Sequence, residues 1–320
     1  MIDWSRTALL FPGQGSQAAG MALDFKRNYA AAAALFESAD RICGEPFSRV
    51  FEDAAALDQT ENTQPALYIA GLAALRALEA ALNDGQPLAP LAAAGHSLGE
   101  FTALTAAGAL SLEDGLRLVR LRGQLMAQAG AAQRGAMAAL LGADAAQVRA
   151  ICERASAESG APVVLANDNC PGQAVISGAE TAVEAAIALA KADGIKRAVK
   201  LAVSVAAHSP LMASAAEAFR DALASVAFSA PRFPVIGNTT AAPLRTPEQI
   251  VAELSAQLTG SVRWTESVQA LRALGAQTFL ELGAKDVLIG LLKRIDRDAE
   301  GIPINDVATL SAFVARCTAQ

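Results

Sequence analysis

Histidine is scarce in this sequence: of 320 residues only His96 and His208 are histidines. A zinc centre needs a cluster of ligands, and two scattered imidazoles do not supply one, so no metal site is expected. Cysteine is thin as well. Cys43, Cys152, Cys170 and Cys317 lie far apart with no C-x-x-C spacing, which reads as reduced thiols of a cytoplasmic protein. Positive charge is short, with 26 Lys and Arg against 32 Asp and Glu and a net charge of −6. No basic cluster is large enough to point to nucleic acid. The longest apolar stretch, 65–82, is broken by Arg76 and Glu79, so it reads as an amphipathic or buried helix and not as a membrane span. The first six residues place no basic region before an apolar run, so no signal peptide is read there.

What is present is apolar material: 53% of the residues are hydrophobic and 18% charged. That is enough for a sizeable core and leaves disorder without support. The length implies about two domains, or one large α/β unit carrying an insertion.

The stretch Gly95-His96-Ser97-Leu98-Gly99-Glu100 organises the chain. It reads G-x-S-x-G after the apolar run 91–94 and before the helix-forming run 101–107, the strand, turn and helix context of a nucleophile elbow. Gly95 and Gly99 leave room where the turn packs. Ser97 is then expected at the tip with Oγ exposed, at a helix N-terminus that favours the negative charge of acyl transfer. A chance match in a Gly- and Ala-rich chain is the bland alternative.

Upstream, 7–11 reads as a buried strand running into the glycine-rich loop Pro12-Gly13-Gln14-Gly15. Gln14 N–H could be a second oxyanion donor beside Leu98 N–H, or the loop could be an ordinary strand-to-helix turn. Helices are expected over 25–42 and 62–82, the second with Thr63 as N-cap and Pro65 in its first turn. Gln64 faces either solvent or the site. Ser111 opens a further helix, in which Arg122 sits among apolar residues. Such an arginine either snorkels to water, the commoner case, or pairs with an anion. Residues 133–203 read strand, helix, strand, strand, helix, strand, the ferredoxin-like order, so they are expected to form an inserted subdomain. Asn167-Asp168-Asn169 is expected to end the strand that starts over 162–166, with Pro171-Gly172 making the turn. Residues 1–132 and 204–320 alternate strand and helix, which implies a parallel α/β sheet. Strands are expected at 234–238 and 278–282, with helices over 211–224, 247–258, 262–274 and 287–295. A serine nucleophile needs a base. His96 neighbours Ser97 and should point away from it, which leaves His208, just after the insertion, as the better candidate.

Taken together, Phe11-Pro12-Gly13-Gln14-Gly15-Ser16-Gln17, Thr63-Gln64-Pro65-Ala66, the elbow, Arg122-Gly123 with Met126, 135–139, Pro171-Gly172-Gln173 with 176–178, and Ser204-Val205 with His208 occur in order. In this the chain resembles the malonyl-CoA:acyl-carrier-protein transacylases, from Phe11 to about Ile295. The resemblance implies an α/β-hydrolase-like large subdomain with a ferredoxin-like insertion. It implies Ser97 as nucleophile, His208 as its base, and an oxyanion hole from the N–H groups of Leu98 and Gln14. It implies Arg122 paired with the malonyl carboxylate, which reverses the snorkelling expectation. It further implies that a backbone carbonyl at Gln257 orients His208, and that Gln64, Asn167 and Asn169 line the acyl pocket. Malonyl-CoA and acyl carrier protein become the expected partners, with no cofactor beyond the coenzyme A of the substrate, and the chain is expected to act as a monomer. Two stretches depart from the family pattern, Gly260-Ser261-Val262 and Gly283-Ala284-Lys285-Asp286, both expected at the cleft rim. Acyltransferases of polyketide synthesis or malonate decarboxylase, a thioesterase and a silent carrier-binding scaffold remain the rival readings. Lys196-Arg197 and Lys293-Arg294 are equally candidate docking charges or plain solvated surface.

Overall fold

A computed structural model describes residues 2–44, 46–203 and 205–318; Ser204, at the expected subdomain boundary, lies outside them. Ten strands are described: β1 Thr7–Phe11, β2 Ala92–Gly95, β3 Gly135–Leu141, β4 Val163–Cys170, β5 Gln173–Ala179, β6 Arg197–Lys200, β7 Val235–Ile236, β8 Pro243–Leu244, β9 Thr278–Leu282 and β10 Glu300–Ile304. They form two sheets. The larger has the order β10-β9-β1-β2-β7-β8 and is parallel except at its edge, where β8 runs antiparallel to β7.

A parallel sheet covered on both faces needs strands that are apolar throughout. In β1, Leu9 and Phe11 pack into one core while Ala8 and Leu10 pack into the other. β2 divides in the same way, Ala93 to the first core and Ala92 and Ala94 to the second. The helix Thr60–Leu82 covers the first face. It is long and apolar enough to cross a membrane, but 78% of its most apolar window is buried inside the protein, as the breaks at Arg76 and Glu79 imply.

The smaller sheet has the order β4-β5-β3-β6, antiparallel throughout. Helices Ala145–Ser159 and Glu180–Ala192 close its own core around Leu140, Ile151, Ile176 and Val183. The smaller sheet meets the larger part of the chain through β4. Its register shifts between Leu165 and Asn167 and again between Asp168 and Cys170, and Asn167 bridges to Val262 of the larger part.

Several expectations are corrected. The strand read from 162 starts at Val163 and runs one residue past the Asn-Asp-Asn run to Cys170, with two register shifts that keep that run in the sheet. The single helix over 25–42 is two, Leu23–Asn28 and Ala30–Cys43, parted by extended backbone at Tyr29. Thr63 is not an N-cap. The helix begins at Thr60, and the Thr63 hydroxyl donates to the carbonyls of Leu57 and Gln59. The helix expected from 211 starts as a short 3-10 turn, Pro210–Met212, and becomes α-helical at Ala213–Ala224. The helix expected from 262 starts at Trp264, since Val262 is engaged by Asn167. β8, β10 and the last helix, Val307–Thr318, were not foreseen. β10 carries Gly301 and Pro303, which argue against a strand in isolation; its place at the sheet edge tolerates them.

Candidate active site

The turn after β2 is an elbow in which Ser97 adopts φ 51°, left-handed backbone for a non-glycine residue. A Cβ at Gly95 would lie 1.9 Å from the carbonyl of Gly99, and one at Gly99 would lie 2.0 Å from the carbonyl oxygen of Phe11. Only glycine permits this crossing, and so the helix Gly99–Ala106 can begin directly behind the serine. Asn238, which follows β7, clamps the turn. Its Oδ1 accepts from Ser97 N–H at 2.6 Å and its Nδ2 donates to the carbonyl of Gly95 at 2.7 Å.

His208 Nε2 lies 2.8 Å from Ser97 Oγ. Its Nδ1 faces two carbonyl oxygens, Gln257 at 2.9 Å and Gly260 at 3.1 Å. Carbonyls accept only, so Nδ1 carries the proton and Nε2 turns a lone pair to the serine. Burial, and then the nearby Arg122 charge, hold the imidazole down at about 3, so it is neutral and ready to accept a proton. Among the described residues no carboxylate bonds to His208 Nδ1; the carbonyl at the end of helix Pro247–Gln257 orients the imidazole.

Arg122 does not snorkel. It is 1% exposed and held by neutral partners: Nη1 donates to Gln64 Oε1 at 2.6 Å, and Nη2 to Gln257 Oε1 and to Ser97 Oγ, both at 3.1 Å. Its Nε is buried with no hydrogen-bond partner among the described residues. Burial lowers its value to about 10, which leaves it charged at neutral pH. Helix Leu112–Ala132 brings the guanidinium there, pressing so close to the start of helix Thr60–Leu82 that a Cβ on Gly123 would lie 2.7 Å from the carbonyl oxygen of Thr60.

Ser97, His208 and Arg122 open on a cavity of about 960 Å³. Gln14, His96, Asn167 and Asn169 line it as well, together with Met126, Met137, Val175 and 201–203. Gln64 is not on the cavity wall; it is fully buried behind Arg122, with its Nε2 directed at Thr60 Oγ1 and Met126 Sδ. Neither Leu98 N–H nor Gln14 N–H has an acceptor among the described residues, and Thr60 Oγ1 donates to the Gln14 side chain at 2.9 Å, fixing that loop.

Two positions at the site escaped the sequence reading, and a third was only partly read. Asn238 and Glu100 carried no signal beyond their neighbours. Glu100 is fully buried, and its Oε2 accepts from Gln257 Nε2 at 2.6 Å. Burial, then the nearby Glu253, push its carboxyl well above the usual range. His96 points away from Ser97 as expected, but into the same cavity: Nε2 pairs with Asn169 Oδ1 at 2.9 Å and the ring packs on Trp264. Burial lowers its pKa from the ordinary value.

A serine aligned with a neutral imidazole and backed by helix N–H groups defines a serine acyltransferase or a hydrolase of the same design. The comparisons decide between them: residues 8–310 match the acyl transferase domain family, and the chain belongs to it. It is an acyltransferase. It is 42% identical over 312 residues, 97% of this chain and 96% of the relative, to a Bacillus subtilis protein named malonyl CoA-acyl carrier protein transacylase. The Escherichia coli K12 protein of that name is 39% identical, over 95% of this chain and 97% of its own. The crystal structure of the malonyl-CoA:acyl carrier protein transacylase from Xanthomonas oryzae pv. oryzae superposes with a TM-score of 0.92 at 42% identity, covering 98% of each chain. A malonyl-transacylase solved in complex with a type II polyketide acyl-carrier protein superposes at 0.91 and 37% identity, over 97% of this chain and 99% of that one.

Proposed function

We propose that this chain moves a malonyl group from malonyl-CoA to the phosphopantetheine thiol of an acyl carrier protein through an ester on Ser97, the loading step of fatty acid biosynthesis. The observation that carries this is the buried Arg122 guanidinium, held by neutral groups 3.1 Å from the serine oxygen that His208 touches at 2.8 Å. A buried cation without a carboxylate partner suits an acyl group that brings its own. The names of the relatives support the same substrate pair.

In the first half-reaction His208 Nε2 takes the proton of Ser97 as Oγ attacks the thioester carbon. The oxygen of the tetrahedral intermediate is held by Leu98 N–H and Gln14 N–H, each contributing about 3 kcal/mol to lowering the barrier. The C–S bond breaks, the imidazolium returns its proton to the sulfur, and coenzyme A leaves. In the second half-reaction His208 takes the proton of the carrier's thiol, the sulfur attacks the ester carbon, and the C–O bond breaks with the proton returned to Ser97. Malonyl lies with its carboxylate on Arg122, while Asn167 and Asn169 bound its pocket. A neutral acetyl group leaves the guanidinium unpaired in a partly dry site, which disfavours it. One chain supplies all of these groups, so a monomer suffices. Cys152 and Cys170 are buried thiols, in keeping with a cytoplasmic protein.

Intact-mass measurement after mixing with malonyl-CoA tests the assignment. One malonyl adduct is expected on the parent and none on Ser97→Ala; an adduct that survives in Ser97→Ala overturns it. Rapid loss of the adduct to water with no thiol present indicates a thioesterase instead.

A further inference from the structure

Arg122 and His208 converge on one atom. Nη2 of Arg122 donates to Ser97 Oγ, the same oxygen whose proton His208 has to take. The guanidinium therefore occupies one of the two lone pairs of the nucleophile before any substrate arrives. When His208 accepts the proton, an imidazolium forms one hydroxyl away from the guanidinium. Two cations that close, in a buried site, repel, and the repulsion is felt in the transition state.

No carboxylate among the described residues hydrogen-bonds to the guanidinium to relieve it; Glu100 acts on it only from behind Gln257. The hydrogen-bond partners of Arg122 among the described residues are Gln64, Gln257 and Ser97, all neutral. The nearest buried acid, Glu100, is separated from the guanidinium by the Gln257 amide, which donates to Glu100 with Nε2 and accepts from Arg122 with Oε1. We propose that Arg122 holds the Ser97–His208 pair in check until the carboxylate of a dicarboxylic acyl group takes its guanidinium, so that this carboxylate switches on acylation as well as anchoring the substrate. This rests on the malonyl reading above and adds to it that the preference for a carboxylate lies in the rate of the chemical step, not in binding alone.

The charged and titratable groups around His208 fit this account. Arg122 comes from helix Leu112–Ala132, and His96 from the elbow. Glu100 accepts from Gln257 Nε2, and burial, then the nearby Glu253, raise its carboxyl well above the usual range. Asp58 and Glu61 stand on the cavity wall. Arg122 is the cation nearest the base, and burial together with this charge is what holds His208 far below its ordinary value.

With only two histidines in the chain, nitrogen-15 NMR of histidine-labelled protein reads His208 directly. Two arms decide. In Ser97→Ala, where no transfer can occur, saturating malonyl-CoA should move the His208 titration at least about one pH unit upward, while acetyl-CoA leaves it in place, since an opposite charge relieves a neighbouring cation by that order. In Arg122→Met, and in Arg122→Gln as a second neutral replacement, His208 should titrate higher with no ligand at all, and acylation of Ser97 by acetyl-CoA should become several-fold faster. Identical His208 titrations with the two thioesters, or an unchanged titration in both Arg122 variants, overturn the proposal. Neither result touches the malonyl reading, which stands or falls on the Ser97 adduct.

Discussion

Asn238 and Ser97 are 141 residues apart in sequence and joined twice in space: the Asn238 amide accepts from Ser97 N–H at 2.6 Å and donates to the carbonyl of Gly95, two residues earlier, at 2.7 Å. One planar amide thus spans the elbow and holds Ser97 in its left-handed backbone. A displacement of about 1 Å at a reacting atom can cost on the order of 100-fold in rate. Asn238→Ala should therefore lower kcat of malonyl transfer by about that factor with little change in KM. A variant within about threefold of the parent in kcat contradicts this role.

Removing the base should leave binding but not chemistry. His208→Ala should slow the formation of malonyl-Ser97 by about 10²- to 10⁴-fold, the usual contribution of a positioned base. The burst measured by quench-flow with malonyl-CoA reads this directly, and normal burst kinetics would reassign the base.

Glu100 links stability to pH. Its carboxyl is buried and raised well above the usual range, by burial first and Glu253 second. The native state keeps a proton that the unfolded chain sheds above about pH 4.5. The stability Glu100 contributes is thus complete below that pH and declines as pH rises toward the native value, by about 1.4 kcal/mol per pH unit. Glu100→Gln removes this decline and still offers an acceptor to Gln257 Nε2. Its stability relative to the parent, from urea unfolding, should rise as the pH is raised above about 4.5. A difference that stays constant with pH means Glu100 is already ionised in the fold.

Carrier-protein docking is read from charge. Lys196 and Arg197 are exposed where the edge strand β6 begins, Lys196 just before it and Arg197 as its first residue, and β6 leads into the cavity wall at 201–203. Reversing both to Glu should raise KM for an acidic carrier about threefold or more while leaving the Ser97 burst with malonyl-CoA intact, since rim charges act mainly on association. An unchanged KM assigns them to plain surface.

Much of this was legible in the sequence because it depends on local rules. G-x-S-x-G between an apolar strand and a helix specifies an elbow, since only glycine fits at 95 and 99. The alternation of strand and helix specifies a parallel sheet, and the ferredoxin-like order of 133–203 shows in the pairing of β3 to β6. What failed locally was what tertiary position overrides. The Gly- and Pro-bearing β10 is a strand only because an open sheet edge receives it. The strand carrying the Asn167–Asn169 run reaches Cys170, with two register shifts that keep that run in the sheet.

The sequence by itself determined the elbow, the serine at its tip and, with so few imidazoles, the short list of histidines that could stand beside it, because these follow from residue type and near-neighbour sterics. The tertiary structure alone decided that Arg122 is buried beside Ser97 and not snorkelling, that Gln64 backs it, and that Asn238 and Glu100 brace the site. Those outcomes depend on which helices and strands pack side by side, and hydrogen bonds between residues 25 to 157 positions apart leave no periodic mark in the chain.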